Sequence, residues 1–165
     1  MGGKSQGSSE RELLIQRFRS AFAMTSIRPA TSSDIDALRS LSEQLGYAVP
    51  AAAFSERLNA VLAHRDHALL VAEEGGYAIG WVHGMLRPLL VEGPQIFIGG
   101  LVVEESFRGQ RIGEQLMVSV EAWGRSQGAH EVYVYSNVMR EHAHRFYERI
   151  GYQRHKTTGV LKKSL

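Results

Sequence analysis

Cysteine is absent from the 165 residues. That excludes disulfides, thiolate-bound zinc, iron–sulfur clusters and a thiol nucleophile supplied by the protein itself. It permits a reducing compartment, and the cytoplasm is the expected location. Long apolar runs are missing too: none approaches the roughly 20 residues that span a bilayer, so no membrane partner is expected. A large charge of one sign is also lacking, with 19 Lys and Arg against 17 Asp and Glu for a net +2. Such a balance is far from a disordered or strongly polyanion-binding chain. What is present is 44% hydrophobic residues, enough to fill one ordinary core.

The charge is unevenly placed. Residues 1–23 hold 4 basic and 2 acidic side chains, residues 24–139 hold 8 and 13, and residues 140–165 hold 7 and 2. The excess of the whole therefore belongs to the leader, and the remainder is neutral but lopsided. Residues 2–9 are Gly/Ser-rich and cannot bury anything. Leu14, Ile15, Phe18 and Phe22 follow at helical spacing. Glu10, Glu12 and the short length argue against a targeting or membrane-surface role, so this helix is expected to pack on the domain or on a neighbouring chain. The expected division is a leader over 1–23 and one domain over 24–165.

Within that domain, residues 26–29 read as a first strand. Thr31, Ser32, Ser33 and Asp34 offer N-cap chemistry before Ile35, Leu38, Leu41 and Leu45, and Gly46 ends that helix. A second helix carries Phe54, Leu58, Val61 and Leu62. The apolar run 68–72 suits a buried strand, and 73–76 a hairpin turn into a strand over 77–87. Another strand spans 95–103, a helix 112–127 stops at Gly128, a strand spans 131–135, and a helix over 140–150 ends at Gly151. The tail over 152–162 is expected to add one or two strands. The order β-α-α-β-β-β-α-β-α-β is a mixed sheet with helices on its faces.

The most informative stretch is Leu101-Val102-Val103-Glu104-Glu105-Ser106-Phe107-Arg108-Gly109-Gln110-Arg111-Ile112-Gly113. A strand, a loop with glycines and a long helix gather backbone N–H groups at the positive end of a helix dipole, a cradle for pyrophosphate. No Gly-Lys-Ser/Thr follows, so it is not a nucleoside triphosphatase loop, and the three-glycine dinucleotide fingerprint is absent. Alone, the stretch fits equally a glycine-tightened corner without a ligand.

Taken with Ser136-Asn137 and Ala143-His144-Arg145-Phe146-Tyr147-Glu148-Arg149-Ile150-Gly151-Tyr152, it resembles the Gcn5-related N-acetyltransferase superfamily over about residues 25–162. The resemblance implies an α/β (α+β) fold with a central mixed sheet of six to seven strands flanked by about four helices. It implies acetyl-coenzyme A as acetyl donor and no metal. The family's pyrophosphate loop, Gln/Arg-x-x-Gly-x-Gly/Ala, places Arg108, Gly109, Gln110, Arg111, Ile112 and Gly113 on the cofactor, with Arg111 where the middle glycine is usual. The strand over 95–103 would splay from that over 131–137, with Gly99 and Gly100 suiting a bulge. The pantetheine arm would pair beside Leu101, Val102 and Val103. Asn137 would either hold the arm or serve the next loop and helix. Arg145, with Arg140 and Arg149, would lie near the phosphates.

The resemblance also assigns Tyr147 as the acid that reprotonates the leaving thiolate, and the backbone N–H of Val103 or its neighbour to the oxyanion. A general base is not identified. The strand over 95–103 has no carboxylate, and Glu43, His83 and Glu92 are each expected to be ordinary surface or loop residues that could at most relay a proton through water. His142 and His144 point to opposite sides of a helix. His64 and His67 share a face but have no evident third ligand, so a solvated pair is expected. The implied activity is acetyl transfer to a primary amine of a small molecule or peptide, and the alternative is a catalytically weak coenzyme A sensor. The acidic segment suggests a cationic acceptor. Nucleic acid is not an expected partner, because the basic tail lacks aromatic interleaving. The family often forms homodimers, and the face at Leu14, Phe18 and Phe22 could serve one.

Overall fold

The computed structural model describes residues 25–164. The expected leader helix lies outside the described residues. The chain divides into two compact units, one ending at Val134 and one beginning at Tyr135. The first contains β1 (Ser26–Pro29), α1 (Ile35–Leu45), α2 (Ala51–Ala63), β2 (His67–Glu74), β3 (Tyr77–Leu89), β4 (Gly93–Val103), α3 (Ile112–Ser126) and β5 (Val132–Val134), and the second contains α4 (Glu141–Arg149). The sheet runs β1-β2-β3-β4-β5. Neighbours are antiparallel except β4 and β5, which are parallel. No helix among the described residues is long and apolar enough to cross a membrane.

The architecture is the expected mixed α+β class, with five strands in place of six to seven. The difference lies in the tail, where residues 153–164 form no strand. Val160 and Leu161 are 92% and 98% exposed, so the tail has no apolar face to bury and, among the described residues, no ladder to join.

Alternation along β3 sorts the sheet's two faces. Gly80 and Gly84 face α3, where an added Cβ would meet Leu116 and Val120 respectively. Trp81 points the other way, packing against Ala30, Leu38, Leu58 and Val71, a cluster shared by α1, α2 and β2. The fully buried side chains Val82, Ile96, Leu116, Met117 and Val120 fill the core on the α3 side.

The start of α1 is anchored by charge. Asp34 accepts from the Thr31 backbone N–H at 2.7 Å, and its carboxylate takes both terminal nitrogens of Arg28 at 2.9 and 2.8 Å. Arg28 Nε donates to Glu73 on β2, at 2.6 Å. The Arg28 hydrogen bonds, helped by Thr31 and opposed by burial, hold the Asp34 carboxyl at about 2 against an ordinary 3.8. A depressed carboxyl stabilises the fold above its unfolded pKa and loses that contribution as pH falls through the folded one. Asp34→Asn is therefore expected to cost about 2 kcal/mol at pH 7. The gap between variant and wild type should narrow below pH about 4 and be roughly halved by pH 3 in urea titrations. A gap independent of pH would show that Asp34 acts through packing instead.

Candidate functional site

The end of β4 and the start of α3 carry the predicted anion cradle in one continuous stretch. Leu101, Val102 and Val103 are the last residues of β4. Glu104 follows, with its backbone N–H donating to Ile79 of β3 at 2.8 Å. Its carboxylate accepts from Gln44 Nε2 at 2.7 Å, which latches the end of α1 to this turn. Gln44 is a positioning residue that no sequence signal marks, because the contact joins residues 60 apart. After a single 3-10 turn over Glu105–Phe107, Arg108 folds back and donates from Nε to the Val103 carbonyl at 3.1 Å.

Gly109 then takes φ +82°, and Arg111 takes φ 61°, ψ 12°. Arg111 is the only non-glycine residue with positive φ among the described residues. The arginine thus adopts a left-handed conformation that a glycine would take without strain. Its side chain is exposed and makes no capping hydrogen bond to α3. Ile112, 2% exposed, pins the first turn to the core. The first-turn amides at Ile112 and Gly113 thus have neither an intrahelical acceptor nor a side-chain cap, and they point at the positive end of a 15-residue helix. A left-handed non-glycine costs about 1–2 kcal/mol, of which glycine's extra unfolded entropy returns part. Arg111→Gly should therefore raise stability by about 0.5–1 kcal/mol, and Arg111→Val should lower it, as read by thermal unfolding.

The strand beside the cradle is open. β5 pairs with β4 only at Ile96, Phe97 and Ile98, so among the described strands Gly99 to Val103 have no partner on that edge. On the other edge His83 opposes Gly100 and Gly84 opposes Ile98, leaving Gly99 as the extra residue of a bulge. The two adjacent glycines match the expected bend. Gly99 is exposed although its neighbour Ile98 is buried, so the bulge opens to solvent in mid-strand. An extended ligand reaching the α3 amides can add to this edge as a strand does.

The histidines correct the sequence reading. His64 and His67 are not merely a solvated pair, and His83 is not an ordinary surface residue. His83 is half-buried on β3, and its Nε2 lies 3.0 Å from His67 Nδ1. The His64 and His67 rings are in turn 4.6 Å apart, centre to centre. Burial, reinforced by His67, lowers His83 to about 4, and burial, with His64 adding to it and Asp66 opposing it, lowers His67. The period-2 spacing of Trp81, His83 and Met85 places them on one face, but the register against β2 that brings His67 to His83 is not readable from spacing. Among the described residues no group of three or more His, Asp or Glu is arranged to hold a metal ion. Glu43 pairs with Arg39 on α1, and Glu92 accepts from Gln95.

The remaining predicted residues lie in the second unit. Asn137 Oδ1 accepts from the Met139 N–H at 2.9 Å in the turn before α4, which leaves its amide nitrogen as a donor. Arg145 lies between Glu141, at 3.6 Å, and His142, at 2.9 Å. Tyr147 meets Phe146 and Tyr152 edge-on, with ring centres 5.1 and 5.7 Å apart. Burial pushes its phenol up, with Arg140 partly opposing.

Residues 35–152 match the model of the acetyltransferase (GNAT) family. Aminoalkylphosphonate N-acetyltransferase of Salmonella typhimurium is 31% identical over 143 residues, covering 86% of this chain and 93% of that protein. Aminoglycoside N(6')-acetyltransferase type 1 of the same organism is 30% identical over 110 residues, covering 64% and 76%. Among solved structures, aminoglycoside N-acetyltransferase AAC(6')-Iy in complex with CoA superposes with a TM-score of 0.80 at 23% identity, covering 87% of this chain and 97% of that one.

Proposed function

Because the chain belongs to the acetyltransferase (GNAT) family and is an acyl-coenzyme A-dependent N-acetyltransferase, we propose that it acetylates a primary amine of a small molecule or peptide by direct attack in a ternary complex, in the cytoplasm. The observation that carries this reading is the uncapped start of α3 beside the stretch Gly99 to Val103 of β4, which has no partner on that edge among the described strands. Together they offer one phosphate-binding and one strand-like surface in series. In this reading the amides and side chains from Arg108 to Gly113 hold the pyrophosphate. Leu101, Val102 and Val103 pair with the pantetheine arm, assisted by the Asn137 amide, and Arg145 attracts the phosphates.

Acetyl-coenzyme A supplies an activated thioester, so the chain's own residues need only bind, orient and move protons. The Val103 N–H or its neighbour stabilises the oxyanion. Tyr147, held protonated by burial, returns a proton to the sulfur.

The acceptor is read as an amine carrying further charge. The acidic stretch over 24–139 favours a cation. The names of the two Salmonella relatives cover an aminoglycoside and an aminoalkylphosphonate. Thiol release from acetyl-coenzyme A, followed across aminoglycosides, polyamines, lysyl peptides and aminoalkylphosphonates, decides. Release with a member of the panel supports the enzyme. Tight coenzyme A binding with no release across all of them supports the sensor alternative.

A further inference from the structure

We propose that His83 is the general base that removes the proton from the acceptor ammonium, with His67 passing that proton onward to solvent. The inference rests on the acetyltransferase reading above and names the residue that the sequence leaves unassigned.

Position comes first. His83 opposes Gly100 across the β3–β4 ladder, at the bulge where Gly99 is extra. A Cβ built on Gly99 would lie 3.0 Å from His83 Nδ1 and 3.2 Å from Met85 Cε. With no side chain at Gly99, no Cβ covers the Nδ1 edge of the imidazole, and Gly99 is itself exposed. Gly99 lies on the same strand as the open edge proposed for the pantetheine arm, a few residues before Val103. β4 carries no carboxylate between Gly93 and Val103, so nothing else on that strand can take a proton there.

Direction comes second. His83 Nε2 and His67 Nδ1 are at hydrogen-bond distance. In the tautomer that donates through Nε2, Nδ1 is left as an acceptor beside Gly99. A proton arriving at Nδ1 from R–NH3+ is matched by release of the Nε2 proton to His67 Nδ1, and His67, next to His64 at the α2–β2 turn, loses its own Nε2 proton to solvent. The freed amine then attacks the thioester carbon, the C–N bond forms and the C–S bond breaks. The second amine proton balances the one gained by the sulfur, so one proton leaves overall. Burial keeps His83 uncharged at neutral pH, so the proton is passed along rather than stored. The titratable neighbour acting on His83 is His67, those acting on His67 are His64 and Asp66, and β4 presents only glycines at this point.

The test compares His83→Gln, His83→Ala, His67→Phe and Gly99→Ala with wild type, using an acceptor that the thiol-release screen has found. His83→Gln should bind coenzyme A with unchanged affinity yet lose about 10²–10³-fold in kcat at pH 7. That deficit should shrink as pH approaches the amine's own pKa, where free amine no longer needs a base. Gly99→Ala, whose methyl covers Nδ1, should reproduce the loss with His83 intact, and added imidazole should partly rescue His83→Ala. His67→Phe should give a smaller loss, and in wild type the NMR titrations of His83 and His67 should move together. A deficit equal at all pH values, or full activity in His83→Gln, overturns the proposal. Wild type that transfers acetyl to no amine overturns the functional reading instead, so the two failures are distinguishable.

Discussion

Tyr147→Phe is expected to lower turnover about 10²–10³-fold while leaving coenzyme A affinity unchanged. Loss of the hydroxyl removes one proton donor and little else. The ring contacts to Phe146 and Tyr152 are edge-on and independent of oxygen. The backbone at this position is fixed by the Tyr152 N–H donating to the Tyr147 carbonyl at 2.9 Å. Phenylalanine therefore keeps the packing. A phenol with an ordinary pKa of about 10 can protonate a thiolate whose parent thiol titrates near 8.5. Burial pushes the phenol higher, which keeps it loaded with its proton throughout the neutral range. Water can replace it slowly, so the loss is bounded. Single-turnover kinetics at saturating substrates provide the measurement, and unchanged turnover removes Tyr147 from the mechanism. If the Tyr147 and His83 variants both lose turnover, their pH dependences separate them: only the base deficit is relieved as the amine deprotonates itself.

The parts of this chain that were legible beforehand are those whose causes are local. Gly46 and Gly128 end α1 and α3 with positive φ where the apolar periodicity stops, and Gly75 and Gly76 turn β2 into β3. The junction proposed to hold the pyrophosphate was readable as a fold element because a strand, a glycine loop and a helix follow one another without interruption. The bulge at Gly99 was readable from two adjacent glycines. What was not readable depends on register. Leu69 opposes His83, which brings His67 diagonally onto the imidazole. One residue of slippage would send His83 to the α3 face, and spacing alone cannot exclude it. The salt bridge from Arg28 to Asp34 and the Gln44 latch on Glu104 likewise join elements whose relative placement only packing decides. The tail misled for the opposite reason. Thr157, Thr158 and Val160 favour strand locally, but residues 153–164 are exposed and no described strand pairs with them. Local preference without a partner does not make a strand.

Gly124→Val is expected to destabilise the protein by about 3–4 kcal/mol, the largest stability effect of any substitution considered. Helix propensity predicts the opposite sign, since glycine inside a helix costs about 1 kcal/mol relative to alanine. Space reverses it. A Cβ at Gly124 would lie 2.5 Å from Ile96 Cγ1 and 3.2 Å from its Cδ1, and Ile96 is fully buried. Gly84 on β3 faces the same constraint, with Val120 Cγ2 2.5 Å from its virtual Cβ. Glycines on both the helix and the sheet thus let α3 approach the sheet closely, and this contact fixes where the α3 amides stand at the end of β4. An added side chain must push the helix outward, because Ile96 is enclosed and has nowhere to turn. For a chain of this length the loss corresponds to a fall in Tm of about 10 °C. Gly124→Ala should cost less, and Ile96→Ala combined with Gly124→Ala should cost less than the sum of the two, because each removes the other's clash or cavity. Since the helix carries the amides proposed to hold the pyrophosphate, coenzyme A affinity should fall in Gly124→Ala even under conditions where the variant is fully folded. Additive costs, or a stabilised Gly124→Ala, would show that α3 can shift on the sheet without strain and that its amides are positioned by the Gln44 and Arg108 contacts alone.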